Sequence, residues 1–129
     1  MKITVLITSE ALEEHTSLVG ETNKRCGAFV EFRGVVRPME NEQPISALFY
    51  EAYQPMAETQ MERILSELAA ELPCEEVCVL HRVGVVAAGE AAIVVQVASL
   101  HRQEAFELVS QFMDRLKQDV PIWKARSIL

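Results

Sequence analysis

The nine residues Ala91 to Ser99 (Ala-Ala-Ile-Val-Val-Gln-Val-Ala-Ser) constrain this chain most. The run is apolar at almost every position, too short to span a membrane and rich in β-branched residues. It reads as a strand buried on both faces at the centre of a sheet. A second apolar pattern follows at once: Ala105, Phe106, Val109, Phe112, Met113 and Leu116 repeat at helical spacing, predicting a helix from about Arg102 to Lys117. A central strand running straight into an amphipathic helix calls for a sheet with helices packed against it.

The rest of the chain supplies the other elements. Lys2 to Thr8 reads as a first strand. Ser9 is a suitable N-cap for a short helix with Leu12, His15, Leu18 and Val19 on one face, weakened by Gly20 and Asn23. Gly27 to Val36 is a second strand in which Gly34 marks a bulge or a close backbone approach. Met39 to Pro44 reads as a polar loop, and Ile45 to Tyr53 as a third strand. Pro55 at a first helical position opens a helix with Met61, Ile64, Leu65, Leu68 and Leu72 on one face, which Pro73 stops. Glu76 to Arg82 is a fourth strand with an extended continuation through Val86, then a turn at Gly89-Glu90. Pro121 to Trp123 is extended again. The order β-α-β-β-α-β-β-α-β predicts an α+β fold: a mixed β-sheet with about three helices, in one domain over residues 1–129.

Charge narrows the function. The formal net charge is −7, yet it is uneven: seven basic and fifteen acidic residues up to Ala98, then five basic against four acidic from Ser99. A nucleic-acid binder would carry a broad basic face, so nucleic acid is not an expected partner. With no run of 18 apolar residues, no membrane helix is expected either. The opening residues are too short for a signal sequence, and three cysteines make an odd count. Both suit reduced thiols in the cytoplasm. Cys74 and Cys78 lack a second ligand pair, and no metal-ligand cluster, Gly-rich phosphate loop or nucleophile elbow occurs. No metal or cofactor is expected.

Chemistry then falls to the cations of the C-terminal quarter. His101 and Arg102 open the last helix, where free N–H groups and the helix dipole attract anions. Basic residues oppose the dipole there, a local cost that a phosphate or carboxylate clamp would explain. Spacing alone leaves open the plainer arrangement, an Arg102 ion pair beside a capping His101. Lys117 and Lys124, seven apart across a helix end and a proline turn, can face one site and lower each other's pKa. Equally, a lone lysine at a helix C-terminus is simply favourable. Arg37 stands at a strand end before Pro38 and can reach an anion, whereas Arg33 suits a surface salt bridge. His81-Arg82 fits a structural hydrogen-bonding role.

These pieces fall into a pattern. Gly27-Ala28, Phe32-x-Gly34-x-Val36-Arg37, Leu48-x-Tyr50-Glu51-Ala52-Tyr53, His81-Arg82-x-Gly84, Gly89-Glu90, His101-Arg102-x-x-Ala105-Phe106 and Leu116-Lys117-x3-Pro121-Ile122-Trp123-Lys124 resemble the MoaE family, the large subunits of molybdopterin synthase. The resemblance implies an α/β-hammerhead-like fold and a sulfurtransferase of molybdenum-cofactor biosynthesis. It implies a homodimer at the centre of a heterotetramer, with a small ubiquitin-like, MoaD-like carrier docked at each end. The carrier's C-terminal Gly-Gly thiocarboxylate would donate sulfur to cyclic pyranopterin monophosphate, building the molybdopterin dithiolene. By position, Lys117 and Lys124 would be catalytic. His101, Arg102 and Arg37 would bind the pterin phosphate, with the backbone of Val35 and Val36 against the substrate. Ala125 and Arg126 complete the implied substrate-binding set, and here the chain departs from the family: a base stands at Arg126 where an acid is usual. That departure favours a second reading, a non-catalytic paralogue that serves as a carrier-binding scaffold.

Overall fold

The structure is a computed structural model and describes residues 1–12 and 24–129. Nine strands and two helices lie among them. The helix expected after Ser9 falls largely on residues 13–23, outside the described residues.

The architecture is two sheets joined at a seam. The larger has the order β1-β6-β8-β2: β1 (Lys2–Thr8), β6 (Glu76–Arg82), β8 (Ala91–Ser99) and β2 (Ala28–Val35). β1 runs parallel to β6, and the other pairings are antiparallel. β8 is central, and all nine of its residues are buried, as its apolar run requires. Val95 and Val97 face one core and Val94 and Ala98 another. That is the alternation of a strand covered on both sides. The first core is closed by α1 (Met56–Glu71) and α2 (Arg102–Asp119), which bring Met61, Ile64, Leu65, Leu108 and Phe112 onto the sheet. A 2.7 Å hydrogen-bonded ion pair from Arg115 to Glu67 ties the two helices together. Pro55 proves to be the N-cap of α1 rather than its first helical residue, a one-place difference at a boundary.

The smaller sheet has the order β7-β5-β9: β7 (Gly84–Ala87), β5 (Ala47–Ala52) and β9 (Ile122–Ile128), all antiparallel. The stretch expected as a continuation of β6 is therefore a separate strand in a different sheet. The chain leaves β6 at Val83, turns at Gly84 (φ 87°), runs as β7, and returns to β8 through Gly89 (φ 91°). Both glycines take a left-handed conformation that disfavours side chains. The two ends of this excursion are pinned together by Arg82 and Glu90, whose Nη1 and Oε1 lie 3.2 Å apart. Val36, Ile45, Leu48, Val86 and Ala92 form the small core at the seam.

Two expectations are corrected. Met39 to Pro44 is not an open loop but a hairpin, β3 (Met39–Glu40) and β4 (Gln43–Pro44), reversed by Asn41 (φ 50°) and Glu42 (φ 66°). Two successive residues at positive φ make the twist-compatible hairpin turn, here without glycine. The extended tail does not end at Trp123 but continues as β9 to Ile128, held by β5 and by Ser46, whose N–H donates to the Ile128 carbonyl at 2.7 Å.

Candidate active site

A cleft of about 320 Å³ opens at the seam between the two sheets. Each element reaches it at one end. β2 supplies Phe32, Gly34 and Val35; β8 supplies Ala92 and Ile93; β6 supplies His81; β5 supplies Tyr50. The last turns of α2 bring Met113, Leu116 and Lys117, and the start of β9 brings Ile122, Trp123 and Lys124. The lining is thus mainly apolar, with two ammonium groups, a phenol and an imidazole, and no carboxylate among the described residues. Such a lining in a chain of net charge −7 selects an anion with an apolar or aromatic body.

Local structure explains how the two lysines meet. α2 ends at Asp119 with the Val120 N–H donating to the Leu116 carbonyl. Pro121 cannot continue the helix, and the chain turns directly into β9. Lys117 sits in the last helical turn, where the dipole favours a cation. It is exposed and has no acidic partner among the described residues. Lys124 lies opposite Tyr50 in the β5–β9 ladder, and its Nζ is 3.5 Å from Glu40 Oε2 on the hairpin.

The fold shapes the floor as well. Pairing between β2 and β8 shifts register at Gly34/Val35, the irregularity that Gly34 announced. A Cβ on Gly34 would come within 2.7 Å of the Ile93 Cγ2, so glycine permits the close strand approach at the cleft.

His81 is almost wholly buried, and Nδ1 lies 2.9 Å from the Arg82 carbonyl oxygen. Burial holds its pKa below the usual imidazole range, opposed by that hydrogen bond. In the neutral ring Nδ1 carries the proton, leaving Nε2 as an acceptor. Tyr50 packs edge-on against His81 at 5.6 Å between ring centroids. Its hydroxyl is pushed above the ordinary phenol range by burial and then by the Glu40 carboxylate. The sequence reading gave His81 a structural role and Tyr50 none. Both lie in quoted motifs, but nothing in a strand sequence reveals which end faces a cleft. Arg82 does have the structural part expected of it, donating to Glu90 and to the Val85 carbonyl.

The other expected site residues are distributed. Val35 lines the cleft. Val36 is buried in the seam core; its N–H donates to the Glu90 carbonyl and its carbonyl accepts from Gly89, so both backbone groups are occupied. Arg37 is exposed beyond the end of β2, outside the cleft lining. Arg33 pairs with Glu31 at 3.4 Å. His101 is the N-cap of α2, without a side-chain capping bond, and Arg102 is the first helical residue; both are exposed. They stand at the opposite end of α2 from Lys117, about 22 Å away at 1.5 Å per residue.

Ala125 and Arg126 are separated from Lys124 by a bulge. Phe49 pairs with Arg126 and Tyr50 with Lys124, leaving Ala125 as the extra residue. Phe49 and Tyr50 are neighbours on β5 and face opposite sides. Lys124 therefore turns to the cleft with Tyr50, while Arg126 stacks on Phe49, its guanidinium carbon 4.8 Å from the ring centroid. Without the bulge both cations would share a face.

The cysteines lie elsewhere. Cys74 and Cys78 are buried thiols whose pKa values are pushed up to about 11, chiefly by burial. Cys26 is also raised, and none of the three lines the cleft. Among the described residues no cluster of His, Cys, Asp or Glu could hold a metal ion, and no helix is long and apolar enough to cross a membrane.

Comparison with known proteins agrees with this architecture. A family model described as MoaE protein matches residues 7–119. The human molybdopterin synthase catalytic subunit is 41% identical over 77% of this chain and 53% of its own length. The protein of the same name from Thermoplasma volcanium is 41% identical over 80% of this chain and 74% of its own length. The chain thus spans about half the length of the human relative. A solved structure of molybdopterin synthase from Staphylococcus aureus superposes with a TM-score of 0.80 at 29% identity, covering 95% of this chain and 93% of that one. With β2 to β8, both helices and Lys117 inside the matched span, this chain belongs to the MoaE family.

Proposed function

We propose that this chain is the catalytic large subunit of molybdopterin synthase, a sulfurtransferase. It would take sulfur from the C-terminal thiocarboxylate of a small ubiquitin-like carrier and deliver it to cyclic pyranopterin monophosphate. The observation that carries this reading is that Lys117 and Lys124 line one cleft to which no carboxylate among the described residues contributes. Its apolar walls suit a flat pterin and a Gly-Gly tail, and its ammonium groups suit an anionic acyl end. The cysteines support it by their placement. Cys74 and Cys78 are buried away from the cleft, with pKa values pushed up to about 11, which suits sulfur that arrives on a partner. The relatives' designation as a catalytic subunit fits an enzyme that works with a second, smaller chain. Free cysteines suit a reduced, cytoplasmic setting.

In this mechanism the thiocarboxylate sulfur forms a C–S bond to a carbon of the pterin side chain as a C–O bond at that carbon breaks and its oxygen leaves, and the carrier's acyl–sulfur bond then breaks. Negative charge gathers on the acyl oxygen, where a fixed ammonium stabilises it. The acyl carbon passes to water directly or through a lysine amide, and the carrier leaves as a carboxylate. Neutral His81, part of the cleft lining, would offer Nε2 as a hydrogen-bond acceptor. Together with Arg37, His101 and Arg102 remain the proposed phosphate clamp. Being about 22 Å from Lys117 in their own protomer, they would complete the cleft of a second protomer in the homodimer.

The test combines purified chain, thiocarboxylated carrier and the pterin precursor and assays for dithiolene product. Product formation is expected; carrier binding without product would favour the scaffold reading instead. Lys117→Ala should lose turnover by at least about 100-fold while its thermal unfolding stays close to that of the parent chain. Normal turnover by this variant would remove Lys117 from the mechanism.

A further inference from the structure

The two cleft lysines are not equivalent. Lys117 has no acidic partner among the described residues. Lys124 is held by Glu40, at 3.5 Å between Nζ and Oε2. Glu40 comes from the β3–β4 hairpin, an element that belongs to neither main sheet. The hairpin is two residues a side, and its turn carries Glu42 at φ 66°, a conformation that suits asparagine or glycine better than glutamate. Its attachment at the base is the Ile45 N–H donating to the Pro38 carbonyl at 2.9 Å. A two-rung ladder with a strained turn opens more readily than the sheets it lies against.

We propose that Glu40 is an internal competitor for the anion-binding face of Lys124: its carboxylate stands where the anionic group of a ligand engages the ammonium, and the ligand takes its place. This rests on the reading of the cleft given above and adds a device to it. Three observations support the exchange. The pair is partly solvated, with side chains 48% and 21% exposed for Lys124 and Glu40, so its attraction is screened and readily lost. The Glu40 charge is also felt inside the cleft, where it helps raise the Tyr50 hydroxyl. And a carboxylate and a thiocarboxylate, or a phosphate, are like-charged acceptors for one ammonium, so they cannot occupy it together without repulsion. Lys117 is then open to a ligand from the start, whereas Lys124 is released as the ligand seats and the hairpin moves aside.

Glu40→Gln keeps the shape of the side chain and removes its charge. Calorimetric titration of the full chain with two probes, a short peptide ending in a Gly-Gly carboxylate and inorganic phosphate, separates the two sources of anion. Glu40→Gln is expected to bind at least one probe about three- to tenfold more tightly than the parent. Glu40→Asp should return toward the parent affinity, and the gain should vanish when Lys124→Met is combined with Glu40→Gln. The probe that gains identifies the group that meets Lys124. Equal or weaker binding by Glu40→Gln, binding of neither probe to any form, or a gain that persists without Lys124 overturns the proposal. The dithiolene assay is scored separately: loss of that activity assignment leaves the titration interpretable, and an indifferent titration leaves the assignment standing.

Discussion

His81 illustrates how one residue can link stability to the working state of the cleft. Its folded pKa is depressed by burial, so between the unfolded value near 6.5 and the folded value the unfolded chain binds more protons. The stability that neutral His81 contributes is therefore complete above about pH 6.5 and declines as pH falls below it. His81→Asn, which retains a short polar side chain near Nδ1, lacks this proton linkage. Chemical denaturation of both proteins from pH 8 to pH 5 should show the parent's advantage shrinking as the pH drops. A constant difference across that range would place the ring in water.

Elements, rather than single residues, decide which side chains meet. β8 and α2 were legible from composition and period alone, because a doubly buried strand and a 3.6-residue repeat both leave marks in sequence. The β3–β4 hairpin was not. Two-residue strands carry no period, and an Asn41-Glu42 turn lacks the glycine that usually signals one. The outer half of β9 was hidden because the bulge at Ala125 breaks alternation. Lys117 and Lys124 were visible through motif spacing, whereas His81 and Tyr50 depend on where two sheets meet, which no local pattern encodes. The bulge offers a direct test. Deleting Ala125 should make β5–β9 pairing regular while leaving Lys124 opposite Tyr50 and Arg126 opposite Phe49, each on its present face. Turnover should be retained and the melting temperature should move by only a few degrees, since β9 is an exposed edge strand. Lost activity in a folded variant would mean that the bulge sets the position of Lys124 and not only the face it turns to.

At the scale of the molecule, α2 is a bar with a cation at each end: Arg102 where it begins and Lys117 near its close. If the clamp of one protomer serves the cleft of the other, inactive Lys117→Ala and Arg102→Ala chains complement one another. A mixed dimer then holds one intact and one doubly damaged site, and an equal mixture should recover about a quarter of the parental activity. No recovery after subunit exchange would confine each site to its own chain. The same bulge has a consequence beyond catalysis. By sending Arg126 to the far side of β9 from Lys124, it keeps the charge of the outer surface apart from that of the cleft. A change of charge at Arg126 therefore alters that outer surface while the lysine one bulge away keeps its place at the cleft.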